Sequence, residues 1–425
     1  GISIVGDLLS ATMAVMSQVV LTLGIVYALG SRDQVVRYPA FYTIFLTLAA
    51  GLTGAMLAGD LFNLVVFAEL LVFSGTILTA ASDDRLGAEA AFKYFYISLL
   101  ASAFLLLAIG SLYVSYGTLS MAGLGLRIAT NPSAPLLPVA IALLIATFMI
   151  KSAVTPFHFW QPDFHTASPT AVSAMLSSVV VKLGVYGFLR MTTLLFVEQA
   201  APVRGLLLVL GLTGIVYGGL GAIGTHNAKR MLAYSTLAQV GFILVASGWG
   251  SRLALAAALV FAVNHSLIKA ALLMLAGAVA SRAPVKTAAF DAIAGLGRYM
   301  PLAGLLFFVG GLALMGIPPT NGFVSKMMLF TSGIEAGQFA MLAALGMASI
   351  LTLVYVVRAF QRIWWWPPAE GIKAKPGGDR LLAPALLIAV VLLLGLWPEP
   401  LVRLAEATAV WLGDPRAYIA AVLGG

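Results

Sequence analysis

Six ionisable side chains stand inside long apolar runs, where no water is at hand to solvate a charge: Glu69, Lys151, Lys182, His265, Lys269 and Lys326. Burial penalises whichever protonation state is charged, and a nearby opposite charge reverses that tendency. A group placed so can pick up and release a proton, which is why an intramembrane charge reads first as functional. Glu69, in LFNLVVFAELLVFSG, is the only one of the sixteen acidic residues deep in such a run, and the natural partner of a buried lysine. A pair that alternates between joined and separated states would move a proton; a permanent pair would only hold helices together.

The stretch from 151 to 182, KSAVTPFHFWQPDFHTASPTAVSAMLSSVVVK, concentrates these features. Lys151 ends an apolar run just before Thr155, Pro156 and His158, and proline disrupts a helix and frees carbonyls that can gather round an ammonium. The plain alternative is a lysine near a helix end reaching to the interface. Lys182, about a dozen residues into the next run, is too deep for that. In FAVNHSLIKAALLMLAG, His265 and Lys269 stand at i, i+4 on one helical face, where a histidine titrating near neutrality could relay protons between lysines or simply pack through a hydrogen bond. Lys326 follows the Pro318–Pro319 break. Ser235 and Gln239, again at i, i+4, could order water or bond between helices. His158 and His165 flank Asp163, but two histidines seven apart across Pro162 make no defined coordination geometry, so no metal is expected. Lys93, Asp60 and Asp7, near segment ends, read as interfacial.

The elements that must position these groups are membrane helices. With 61% hydrophobic and 9% charged residues over 425 positions, the chain is far more apolar than a soluble protein, of which about a quarter is charged. Twelve apolar segments follow one another, near 4–29, 38–58, 61–82, 89–115, 136–155, 170–195, 203–224, 230–247, 253–281, 300–333, 337–363 and 381–397. Each is long enough to cross a hydrocarbon core of about 30 Å, and none shows the alternation of a membrane strand. The expected class is an all-α polytopic membrane protein, a single transmembrane domain over 1–425, with 398–425 as an interfacial segment.

Charge placement bears on partners and orientation. The net charge of +8 is spread singly through short loops and forms no arm for nucleic acid. Fourteen of the 24 basic residues, among them Arg32, Arg37, Arg85, Lys229, Arg230, Lys286, Arg298, Lys373 and Lys375, lie in loops after odd-numbered segments; six lie on the other side, and four are the intramembrane lysines. The positive-inside rule then puts both termini outward. Cysteine is absent, which excludes disulfides, thiolate metal sites and thiol nucleophiles. No phosphate loop, nucleotide fingerprint or Ser/His/Asp set occurs, so no cofactor and no hydrolytic or redox chemistry is expected. Segments five and ten are each interrupted by proline beside a lysine, and five segments apart means opposite orientation. This is the pointer to an inverted-repeat transporter, with repeats near 38–195 and 230–363. The chain opens on GISIVGDLLSATMAV, without methionine or a charged leader.

LFNLVVFAELL, KSAVTPFHFWQPDFHTASPTAVSA, HNAKRMLAYSTLAQVGF, NHSLIKAALLMLAG and GIPPTNGFVSKMMLF, in that order, resemble successive motifs of the proton-translocating antiporter-like subunits. That family is shared by respiratory complex I, membrane-bound hydrogenases and Mrp-type sodium/proton antiporters. GDLFNLVVFAELL is most similar to the D subunit of the Mrp branch. The resemblance implies two inverted five-helix half-channels, each with a broken helix, joined by a hydrophilic axis along the membrane midplane. It assigns Glu69 and Lys151 to the paired glutamate and broken-helix lysine, Lys182 to the connecting lysine, His265 and Lys269 to the relay between halves, and Lys326 to the second broken helix. It implies other membrane subunits as partners in the lipid bilayer, protons and sodium as cargo, and a bacterial or archaeal inner-membrane location. Fourteen spans are usual in the family, so two N-terminal ones are expected to be missing here. Gln161 and Phe164 replace the usual Leu and Ala of one loop, and Asn321 stands where a small residue is common. A proton-pumping subunit of a redox-driven complex is the alternative.

Overall fold

In lipid every backbone N–H and C=O must find a partner inside the protein, which drives each apolar run into a helix. The computed structural model describes residues 2–82, 84–285, 287–368 and 374–424, and these are helical apart from connecting turns and three isolated β-bridges. The principal helices are α1 (Leu8–Leu29), α2 (Pro39–Leu57), α3 (Leu61–Ala80), α4 (Arg85–Tyr116), α5 (Leu137–Lys151), α6 (Thr170–Leu195), α7 (Ala200–Gly224), α8 (Ala228–Trp249), α9 (Arg252–Ala280), α10 (Pro301–Met315), α11 (Asn321–Glu335), α12 (Phe339–Trp365), α13 (Leu382–Leu396), α14 (Glu399–Leu412) and α15 (Pro415–Leu423). Several begin on a capping side chain: Asp7, Asp60 and Asp84 accept from the backbone of α1, α3 and α4, and Asn227 and Ser251 do the same for α8 and α9. Capping satisfies amides that the first turn leaves free, and explains why so many of the few acidic residues stand at helix starts.

The bundle is built around α9, whose membrane-length window is wholly buried; it packs against α1, α6, α8, α10, α11, α13 and α14. α6 is equally enclosed and is wound as α-helix interrupted by π-turns at Leu176–Val180 and Met191–Leu195. The outer helices α2, α4, α7 and α12 turn Leu46, Phe92, Leu106, Val209 and Leu353 outward, a surface suited to lipid or to neighbouring apolar helices.

Two spans are broken where the prolines stand. α5 stops at Lys151, Ala153 takes a positive φ of 53°, and Pro156 follows before a short helix, Trp160–Ala167. α10 stops at Met315, capped by Gly316 at φ 83°, and the chain passes Pro318 and Pro319 before α11. These breaks bear on the number of crossings. Among the described residues nine helices are long and apolar enough to span, or eleven if two sharply bent pairs each count as one. The twelve expected from apolar runs are not reached on length because α5 stops at 15 residues before Pro156, the tenth segment is cut at Pro318 and Pro319 into two 15-residue helices, and α13 of the twelfth segment has only 15 residues. Segment 398–425 forms α14 and α15; α14 turns 77° from α13 and packs on α9.

Contacts at the two ends of α1 sort the loops. At its start, Asp7 meets Arg190 at 2.7 Å and Trp411 at 3.3 Å. At its far end, Tyr27 and the Arg32 amide donate to Asp379 at 2.6 and 2.8 Å. The N-terminal residues and the C-terminal helices therefore share one end of the bundle. Lys286 and Lys373, counted in the charge asymmetry, lie outside the described residues.

Candidate functional site

A buried polar contact joins the two most enclosed helices. Lys182 of α6 and His265 of α9 are both buried, and Lys182 Nζ lies 2.6 Å from His265 Nδ1. An imidazole accepting at Nδ1 carries its hydrogen on Nε2, and that atom is buried with no hydrogen-bond partner among the described residues. The ring is thus placed to take a proton at one nitrogen and pass one on from the other. Lys269, one turn along α9, points instead to α8, donating to Ser235 Oγ at 2.8 Å and to the Leu232 carbonyl at 3.1 Å. Ser235 is in turn 2.8 Å from Tyr355 Oη on α12, and the amide nitrogen of Gln239, a turn beyond Ser235, is buried without a partner.

Each helix break holds a lysine, but the two differ. Lys326 of α11 donates to the Met315 carbonyl at 2.8 Å, one of the acceptors freed where α10 ends, and to Ser349 Oγ of α12 at 3.0 Å. Its ammonium also lies 5.3 Å from the Phe242 ring centre, within cation–π range. The backbone makes this approach easy: the Lys326 stem lies over Gly316, where a Cβ would sit 2.6 Å from its Cδ. Lys151 is buried, and its nitrogen has no hydrogen-bond partner among the described residues. The freed-carbonyl environment that proline suggested for Lys151 is found at Lys326.

Glu69 and Lys151 are not joined. Among the described residues no ion pair links them, and Glu69 instead accepts a hydrogen bond from Ser102 of α4.

The loop after α5 distributes its polar groups elsewhere. Asp163 is bonded to Lys93 at 2.7 Å and Arg230 at 2.8 Å. His165 Nδ1 is 3.2 Å from Ser173 Oγ, and His158 sits edge-on to Tyr217 with ring centres 4.3 Å apart. The two histidines and Asp163 face different neighbours. Gln161 and Phe164 are buried, Phe164 edge-on to Tyr94. Asn321 exchanges hydrogen bonds with Asn264 of α9: Asn264 Nδ2 donates to the Asn321 carbonyl at 2.9 Å, and Asn321 Nδ2 to Asn264 Oδ1 at 3.0 Å.

Sequence reasoning missed three things here. Asn264 and Tyr355 are uncharged and carry no signal until the helices are packed. Asp7, read as interfacial, and Arg190, not singled out, are 8% and 4% exposed and form a bidentate pair. The signal for Arg190 was present, since it falls inside the 170–195 segment.

Residues 58–352 match the family described as NADH:quinone oxidoreductase/Mrp antiporter, TM. The chain belongs to this family. It is 30% identical to the D subunit of the Na(+)/H(+) antiporter of Bacillus subtilis over 425 residues, covering 100% of this chain and 86% of that protein. It is 36% identical to the N subunit of the NADH-quinone oxidoreductase of Desulforudis audaxviator over 368 residues, covering 84% of this chain and 72% of that one. Among solved structures, a chain of the Mrp complex from a Dietzia species superposes with a TM-score of 0.90 at 29% identity, covering 100% of this chain and 87% of its own. Family membership and the apolar helices make this a polytopic membrane protein.

Proposed function

We propose that this chain is the proton-translocating subunit of a multisubunit monovalent-cation (sodium)/proton antiporter, working with other membrane subunits. The observation that carries the reading is the 2.6 Å contact between Lys182 and His265 at the core of the bundle, which links the two halves of the chain. Glu69 and Lys151 form the entry. When the carboxylate draws close, the Lys151 ammonium is stabilised; when it withdraws, the ammonium loses its counter-charge and its proton is the more readily given up toward Lys182. The proton then crosses from Lys182 to His265 Nδ1 while the hydrogen on Nε2 moves on toward Lys269 and Ser235, and leaves by Lys326. Ser235, Gln239 and Tyr355 line the second part of this route; His158 and His165 border the first. No residue of the chain needs a cofactor for these steps.

The repeats 38–195 and 230–363 are the units that carry the two broken helices, and both termini face outward in the cell membrane. The match to the antiporter relative of Bacillus subtilis, over 100% of this chain and 86% of that protein, supports the antiporter reading. The likeness to a membrane component of an NADH-quinone oxidoreductase supports a second one, a pumping subunit of a redox-driven complex. Purification of the native assembly separates them, since flavin or iron–sulfur subunits would exclude a simple antiporter. In proteoliposomes of that assembly, Lys182→Ala and Glu69→Ala should each abolish proton movement driven by a sodium gradient. Undiminished flux in both variants would sink the proposal.

A further inference from the structure

Residues 374–380 cross the end of the bundle opposite the termini and tie α1 to α9. The Lys375 amide donates to the Arg282 carbonyl at 2.8 Å, and the Arg380 amide to the Gly30 carbonyl at 3.0 Å. Arg32 Nη1 donates to the Pro376 carbonyl at 2.8 Å, and Gly377, at φ 70°, lets the chain pass where a Cβ would strike the Arg32 guanidinium. Four cationic side chains, those of Arg32, Arg282, Lys375 and Arg380, are thereby gathered about one short segment. None of the four has a carboxylate partner among the described residues.

Two carboxylates lie nearby. Asp379 is buried and taken up by the Tyr27 hydroxyl and the Arg32 amide, while Asp33 accepts from the Val35 amide at the start of the turn Gln34–Arg37. Four positive charges against two negative leave a net of two. Arg282 also keeps a spare donor: Nη1 reaches the Tyr299 carbonyl at 3.0 Å, but Nε is buried without a partner among the described residues. The positive-inside rule explains why basic residues stand at this end, though not why four are drawn to one spot, where they repel one another unless an anion lies among them.

The border of the patch points to the source of that anion. Leu29, which ends α1, and Leu382, which begins α13, are 68% and 60% exposed, and Tyr299 and Trp365 are 58% and 61% exposed. Arg298, beside Tyr299, joins the two aromatic positions by donating to the Trp365 carbonyl at 2.6 Å. Exposed Tyr and Trp mark the level of lipid headgroups, and exposed leucines beside them suit acyl chains. We infer that this patch binds an anionic phospholipid, with its phosphodiester among Arg32, Arg282, Lys375 and Arg380 and its chains along the leucines. Basic pockets beside membrane helices suit such headgroups, and guanidinium groups match phosphate oxygens in geometry. The site stands independently of the proton route.

The test uses the native complex, purified in neutral detergent and stripped of lipid. Phosphatidylglycerol with a fluorophore on one chain is titrated with it, and anisotropy reports binding. Each Lys or Arg near an anionic lipid surface strengthens attachment about fivefold, so Lys375→Gln/Arg380→Gln should weaken one saturable class of sites about 25-fold. Both side chains are exposed, and the unfolding temperature checks that the variant complex is intact. Lys375→Glu/Arg380→Glu should remove that class of sites. Unlabelled phosphatidylglycerol should compete, and phosphatidylcholine with the same chains should not. Parental binding in the intact glutamine variant overturns the site, and is the result expected if an acidic segment of another subunit covered the patch. Equal competition by phosphatidylcholine overturns the role of charge. Displacement by millimolar inorganic phosphate overturns the lipid in favour of a free anion.

Discussion

Replacing His265 by leucine tests the central transfer step. Two positive charges 2.6 Å apart, the separation of Lys182 Nζ and His265 Nδ1, repel by about 6 kcal/mol at an effective dielectric of 20. The couple therefore holds one proton between two nitrogens. Leucine removes the one hydrogen-bonding partner of Lys182 among the described residues. A hydrogen bond to a charged group contributes about 1.5–3 kcal/mol. That loss shows in the unfolding temperature; because leucine also has no nitrogen to take the proton, sodium-driven proton exchange falls to the background of the liposomes. The assay is the reconstituted complex with internal pH followed after a sodium jump. His265→Gln separates two roles, since glutamine can accept from the ammonium but cannot carry a proton onward: it should exchange as slowly as the leucine variant while unfolding at a temperature closer to the parent's. An assembled His265→Leu complex that exchanges at the parental rate refutes the reasoning, as would a glutamine variant with full activity.

Two further outcomes follow from packing and charge. Asp7→Ala leaves a guanidinium buried without its carboxylate and should cost about 3–5 kcal/mol of stability, measured by thermal unfolding in detergent. Burial by itself raises the Asp7 carboxyl, but hydrogen bonds and charge from Arg190, with help from Ser10, outweigh it and hold the group below its ordinary value of 3.8. The unfolded chain then binds this proton at a higher pH than the folded one, so the contribution of the pair is complete above the ordinary aspartate range and is lost as pH falls through the lowered folded value. An Asp7→Asn variant should accordingly lose the acid-side part of the stability profile, and identical profiles in parent and variant would contradict it. Gly322→Ala would place a Cβ 1.7 Å from the Ala313 carbonyl oxygen, forcing α11 away from α10. Such overpacking costs about 1–3 kcal/mol or more and should shift the Lys326 ammonium off the Met315 carbonyl, lowering exchange as well as melting temperature. Wild-type transport in a folded Gly322→Ala complex would show that the second break tolerates displacement.

Much of the site is legible in the order of residues because hydrocarbon is an unforgiving solvent. A lysine a dozen residues into an apolar run, or a histidine one turn from another lysine, is conspicuous whatever the surrounding helices do. Lys182, Lys269 and Lys326 all turn out buried, and each meets a polar neighbour. The count of crossings was less legible, since composition does not show how far proline shortens a span, and α5 and the tenth segment were shortened most. Uncharged participants were hidden for another reason: the hydroxyl of Tyr355 and the amide of Asn264 have meaning only through the helices they reach across to.

The amino-acid sequence by itself determined the helical class, the intramembrane charges and the two broken helices, because solvation by lipid and the geometry of proline act residue by residue. Only the tertiary structure decided which charges meet. It set Lys182 against His265 across α6 and α9, turned Lys269 to α8, left Lys151 without an ion pair to Glu69, and joined Arg190 in a buried pair with Asp7, 183 residues away. Such distances depend on how helices far apart in the chain pack round α9, and no local pattern encodes that.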